Sequence, residues 1–246
     1  MKSKARQHKY GQRWLRTISH TVRGCTAAFA VLALTSSCAL ASIVFSENMG
    51  TTAPTSSPYP SVSSYAGYQN NGSLSFAGSG EARGTEASDY SGASGGANIY
   101  LVGNGANSSF TISSISTVGF TSLKISFGAF KSTIASSMSE LVLKFSSDGV
   151  SYSSLTIPAQ ATGSGTSTWR LIDEIALPVA AEGVSNLRLQ WVNADPSGTP
   201  NPYFRLDDIK LEGVAVPEPS TFVAGALLAL PFGVQGVRYL RNRKRA

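Results

Sequence analysis

The sequence predicts a mainly β protein. The expected body is an antiparallel β-sandwich, jelly-roll-like in size, with an N-terminal signal peptide and one C-terminal hydrophobic helix. Three features of the 246 residues lead there. Short apolar stretches, several with period-two alternation, recur between Ile99 and Leu211. Turns rich in Gly, Ser and Pro separate them, with no amphipathic helical repeat between. The long apolar stretches sit near the two ends.

Residues 1–41 carry the marks of a secretory signal. Lys2, Lys4, Arg6, Lys9, Arg13, Arg16 and Arg23 come with no acid among them, followed by a mostly apolar stretch from Cys25 to Leu34. Ala39-Leu40-Ala41 then supplies the small-residue cleavage pattern, with the cut placed after Ala41. A lipoprotein signal would instead use Cys38, but Thr35-Ser36-Ser37 precedes it without the leucine expected three residues before the cysteine. Left uncleaved, the segment would be an N-terminal anchor, for which it is short.

Residues 42–98 are rich in Ser, Thr, Gly, Pro and Tyr. Pro54, Pro58 and Pro60 suggest an extended lead-in, and the small residues from Gly72 to Gly96 suggest loop or the first strands of a sandwich. The main body is expected over 99–213. Ile99–Val102, Phe110–Ile112, Leu123–Phe127, Leu141–Phe145, Trp169–Leu177, Leu187–Trp191 and Tyr203–Leu211 are the expected strands. Asp148-Gly149 between two apolar stretches signals a hairpin. In the last strand Phe204 and Leu206 share one parity, whereas Ile209 and Leu211 share the other. Either a bulge lies at Asp207-Asp208, or both faces are covered and an aspartate points inward in need of a partner.

Charge and composition exclude several functions. The chain is +6 overall. Taking away seven cations at the front and five at the back leaves eight Lys and Arg against fourteen Asp and Glu over 42–237, a net of −6. An acidic body argues against nucleic acid as a partner. Cys25, Cys38, His8 and His20 all lie ahead of the expected cut. The body then has no disulfide, no His/Cys zinc or copper site, and no Ser-His-Asp or Cys-His catalysis. Carboxylate chemistry, a Ser-Lys pair and oxygen-ligated cations remain open.

The tail, 214–246, is built in three parts: Val216-Pro217-Glu218-Pro219-Ser220-Thr221, a charge-free stretch over 222–237, and a basic end over 238–246 with Arg238, Arg241, Arg243, Lys244 and Arg245. The 16 uncharged residues fall near the lower limit of about 17 for a membrane span, and snorkelling arginines extend their reach. The basic end is expected to stay cytoplasmic. This order closely resembles the PEP-CTERM sorting signal of Gram-negative bacteria, also described as an ice-binding-protein C-terminal domain. The resemblance covers about the last 30 residues. It implies an exosortase-type partner in the membrane, processing near the motif, and delivery to the cell surface or extracellular matrix.

A second resemblance covers the body. Ser146-Ser147-Asp148-Gly149, Trp169 and Phe204-Arg205-Leu206-Asp207-Asp208-Ile209 look like jelly-roll modules found upstream of such tails, similar in outline to galactose-binding-like and carbohydrate-binding sandwiches. It implies a structural calcium on a late-strand aspartate, matched here by Asp207 and Asp208. No other ligand is matched by the resemblance; Glu81, Glu86 and Asn98 are guesses at the rest of the set. An aspartate pair that blunts a strand edge or binds backbone N–H groups is the competing reading. Glu140, Asp173, Glu174 and Glu182 are the carboxylates for a glycosidase pair. Lys124, Lys131 and Lys144 are the lysines for a Ser-Lys pair. Trp169, Trp191, Tyr203 and Tyr152 could stack on sugars or fill the core. Asn71 and Asn107 head N-glycosylation patterns. The expected function is a non-enzymatic structural or adhesive surface protein. The alternative is a calcium-dependent carbohydrate-binding module partnered by polysaccharide, and the third reading is a carboxylate-only hydrolase.

Overall fold

Period-two alternation buries one face of each strand, and two such faces close on each other in the computed structural model of the chain. The structure describes residues 41–103, 107–132, 138–159, 168–195 and 202–216, with 235 and 241–242 beyond them. The strands are β1 (Ala41–Glu47), β2 (Ser75–Ala77), β3 (Glu81–Arg83), β4 (Asn98–Leu101), β5 (Ser109–Ile115), β6 (Phe120–Lys131), β7 (Leu141–Ser146), β8 (Ser153–Leu155), β9 (Trp169–Ala176), β10 (Leu187–Asn193) and β11 (Phe204–Ala215). One sheet runs β3-β4-β11-β6-β9, with β1 also on β11; the other runs β2-β5-β10-β7-β8. All strand pairs are antiparallel. A single 3-10 turn at Val179–Ala181 is the helical element among the described residues up to 216.

The core lies between the sheets. Leu123, Ile125 and Phe127 of β6 and Leu206, Ile209 and Leu211 of β11 meet Phe110 and Ile112 of β5, Leu143 of β7, and Leu189 and Trp191 of β10. None of these is more than 1% exposed. The Phe127 ring meets the Trp191 ring edge to face, with centroids 5.5 Å apart at 82°, and this pair bridges the two sheets.

Residues 42–98 contribute three strands and part of the core, so of the two readings offered for the small-residue stretch, loop or first strands, the segment supplies strands, and the sheets run from Ala41. Met49, Val62, Tyr68 and Ala82 are buried. The Tyr68 ring stacks on Phe76 at 3.7 Å, and its hydroxyl donates to the Val62 carbonyl at 2.9 Å. Burial, and then the Glu47 charge, push that phenol well above the ordinary tyrosine range. Composition left loop and first strands open here, because scattered aromatics among small polar residues carry no strand period.

The Asp148-Gly149 turn spans six residues between β7 and β8 rather than two. Asp148 Oδ1 accepts the Ser146 hydroxyl and the N–H groups of Val150 and Ser151, while Gly149 adopts φ +77°. Those bonds hold the Asp148 carboxyl well below the usual carboxylate range.

Two strands share one edge of β11. β4 pairs with 204–206 and β1 with 209–214, while β6 lines the opposite edge. Ala41 pairs with Val214, so the chain enters and leaves the sandwich at one end. The Pro217–Thr221 part of the motif, the cleavage residue Ala39, and Arg238, Arg243, Lys244 and Arg245 lie outside the described residues. Of the tail, Val216 is described as exposed, and Gln235, Arg241 and Asn242 as helical and exposed. Among the described residues no helix is long and apolar enough to cross a membrane.

Candidate functional site

The irregularity legible in the last strand organises the candidate site. The β11 register shifts between Asp207 and Lys210, at the point where β4 ends and β1 begins. Asp208 takes φ +48° there, an uncommon value for a residue other than glycine. The sequence posed a bulge, or cover on both faces with an inward aspartate, as alternatives; the structure shows a register shift, and 204–207 are buried on both faces. Asp207 is fully buried, whereas Asp208 reaches the outer face of the sheet and is half-buried.

Asp208 fixes a loop over that face. Its Oδ2 accepts a short hydrogen bond from the Tyr90 hydroxyl and a second, of 3.1 Å, from the Ser94 N–H. The Tyr90 ring crosses β6 at Gly128, where a Cβ would sit 2.0 Å from the hydroxyl oxygen. Glycine is therefore required for close approach rather than for backbone freedom. Burial, and then the bond to Asp208, drive the Tyr90 phenol well above its ordinary range, so it stays a neutral donor.

The 90–94 loop walls a cleft of about 460 Å³ over β1, β11, β6 and β9. Ser126, Asp173, Asp208 and Lys210 come from the strands, Ser46, Glu47 and Asn48 from the end of β1, and Gln69 from the following loop. Tyr90 and the exposed Leu171 supply apolar surface. The Ser126 hydroxyl donates to Asp173 Oδ1 at 2.6 Å. Lys210 lies 3.2 Å from the Glu212 carboxylate. Glu47 is fully buried but saturated. Its two oxygens accept the N–H groups of Met49, Gln69 and Asn70 and the Asn70 side-chain amide, each at 2.9 Å.

The calcium implied by the resemblance was tested against these residues. Calcium takes about six to eight oxygen ligands. All the lone-pair positions of Glu47 are directed at N–H donors, and Asp208 Oδ2 holds two donors. Asp207 Oδ1 accepts the Asp208 N–H at 2.8 Å, and its Oδ2 is buried without a partner. Asn98 accepts from Arg205 at 3.0 Å and donates to the Thr85 carbonyl, and Glu81 pairs with Arg83 at 2.7 Å. Glu86 is exposed. Among the described residues no three acidic, histidine or cysteine side chains gather for a metal. Asp207 Oδ2 and Asp208 Oδ1, the oxygens of the pair with no hydrogen bond found among the described residues, do not make a site of about six to eight ligands, so the residues as placed do not fit the ion. Burial, and then the charges of Asp208 and Glu47, push the Asp207 carboxyl up to about 9. It is therefore a neutral acid at pH 7.

The other candidates disperse. Glu174 pairs with Lys124 at 2.8 Å, and Glu182 accepts the Ser122 N–H at 2.7 Å. Of the four glycosidase candidates only Asp173 lines the cleft, where Asp208 joins it. Lys131 is buried at the end of β6. Trp191 and Trp169 are core residues at 0% and 3% exposure, which removes both from sugar stacking, while Tyr203 and Tyr152 are half-buried. Tyr90, Gly128 and Ser126 escaped the sequence reading. A lone tyrosine in a Ser/Gly-rich stretch has no period to mark it.

No protein-family model matches the chain, and no curated protein does. Among solved structures it is similar to the K1 cleaved adhesin domain of Lys-gingipain from Porphyromonas gingivalis W83, at TM-score 0.40 and 13% identity over 69% of this chain and 97% of that one. It is also similar to the CBM22-1 xylan-binding domain of Xyn10C from Paenibacillus barcinonensis, at TM-score 0.42 and 14% identity over 74% and 100%. A third is TmCBM61 in complex with β-1,4-galactotriose, at TM-score 0.31 and 15% identity over 56% and 86%. The assignment of a β-sandwich rests on the strand pairing described above.

Proposed function

We propose that the body is a non-enzymatic glycan-binding module and that the cleft walled by Tyr90 is its binding site. One observation carries this reading. A cleft floored by rigid strands presents hydroxyls, amides and carboxylates around one aromatic ring and one exposed leucine. A pyranose needs that combination, with hydrogen-bonding partners for hydroxyls around its rim and an apolar surface for its C–H face. The floor is built on core strands, so little ordering is needed on binding. Adhesion within an extracellular polymer is the biological role that such binding supports. The test is isothermal calorimetry against soluble polysaccharides, with Tyr90→Ala expected to weaken binding by up to about ten-fold at unchanged fold. Absence of binding across a broad glycan panel by folded protein would reject the module. Turnover of any glycan would favour the hydrolase reading, with Asp173 and Asp208 as its carboxylates.

The address is part of the same proposal. Export through the inner membrane, anchoring by the C-terminal stretch and release to the surface by an exosortase-type enzyme rest on the tail's motif order, hydrophobic stretch and basic end. Fractionating cells that make the full chain and a form ending at Val216 tests it. The truncated form is expected in the soluble exported fraction, and identical distribution of both would reject a sorting role.

A further inference from the structure

The charge of the cleft narrows its ligand beyond "glycan", and this step rests on the glycan reading. The charged groups lining it are Glu47, Asp173 and Asp208 against the single cation Lys210. Lys210 is already within 3.2 Å of Glu212, which lies outside the lining, and the neighbouring cation Lys124 is paired with Glu174. Of the three acids one is saturated and a second is held on one oxygen. Glu47 holds four N–H donors, and Asp208 Oδ2 holds the Tyr90 hydroxyl and the Ser94 N–H. Asp173 differs. It is exposed, its Oδ1 takes the Ser126 hydroxyl, and no hydrogen bond to its Oδ2 is found among the described residues. The cleft therefore has surplus negative charge and, at its exposed edge, a carboxylate oxygen of Asp173 free to accept.

We infer that the cleft selects sugars carrying a protonated amine, such as N-deacetylated amino-sugar polymers, over neutral sugars and uronic acids. An ammonium on the sugar donates a charge-assisted hydrogen bond to Asp173 Oδ2 while its ring packs on Tyr90 and Leu171. A uronate meets three carboxylates and a lysine that already has a partner. Because the cleft is open to solvent, the preference is modest and salt-sensitive.

The experiment is calorimetry of the full chain with three oligomers of equal length: β-1,4-linked glucosamine, its N-acetylated counterpart, and galacturonate. Glucosamine is expected to bind about ten-fold tighter than the N-acetylated form at low salt, with the ratio falling toward one at 1 M salt. Asp173→Asn should collapse that ratio, and Lys210→Gln should raise it. Equal affinity for the first two oligomers, tighter galacturonate binding, or a preference that survives Asp173→Asn would overturn the inference and leave the glycan reading standing. Binding of none of the three, nor of any panel glycan, by protein that melts cooperatively would overturn both.

Discussion

Replacing Asp207 by Asn separates a neutral buried acid from a liganded carboxylate. Asp207 has no exposed surface, and its folded-state pKa is pushed up to about 9 from an ordinary 3.8. A raised carboxyl pKa means that the folded state holds the proton more tightly than the unfolded chain. Its stabilising contribution is then fully present below about pH 4 and is lost as pH rises toward 9. One proton is worth about 1.4 kcal/mol per pH unit, so stability should fall by roughly 4 kcal/mol between pH 5 and 8. Asn keeps the shape and removes the titration. Below about pH 4 the variant should match the wild type; at pH 8 it should be more stable by several kcal/mol, on the order of 10 °C in melting temperature. Urea unfolding at half-unit pH steps reads both curves, repeated with calcium and with chelator. Flat, superimposable wild-type and variant profiles would refute the neutral acid. A variant destabilised at pH 8, together with a calcium-dependent rise in the wild-type melting temperature, would show an ionised Asp207 holding a metal.

Other perturbations address the cleft and the core. Gly128→Ala places a methyl group where the Tyr90 hydroxyl lies, so the ring must leave the sheet; glycan affinity should drop at least as far as in Tyr90→Ala, as read by calorimetry. Tyr90→Phe keeps the ring and removes its bond to Asp208; an affinity between those of wild type and Tyr90→Ala would show that the hydroxyl positions the ring. Trp191→Ala removes the ring that bridges the two sheets and should cost about 3–5 kcal/mol in urea unfolding, because the cavity it leaves lies at the sandwich centre. Asp148→Ala should remove an acid-sensitive contribution: its depressed pKa stabilises the fold above the ordinary carboxylate range and that gain is lost as pH falls, so the variant's stability should vary less with pH below 4.

Sequence alone determined the fold class, because the strand period is a local property. Ile99, Leu123–Phe127, Leu141–Phe145 and Leu187–Trp191 alternate or cluster as sheet-buried residues do, and each lies in a strand of the sandwich. It also marked the break of parity at Asp207-Asp208, since a bulge shifts the pattern by one residue. Three things were decided only by tertiary structure. Residues 42–98 joined the sheets because β1 completes an edge of β11 that β4 leaves open, and no periodicity announces such an edge. Tyr90 met Asp208 across 118 positions of sequence because Gly128 leaves room for its ring, a contact set by space rather than by spacing. Two aspartates adjacent in sequence acquired opposite natures, one a buried neutral acid and the other a half-exposed anchor for the cleft wall. Beside the register shift one of them is wholly covered while the other reaches the cleft, and desolvation raises the carboxyl pKa of the covered one.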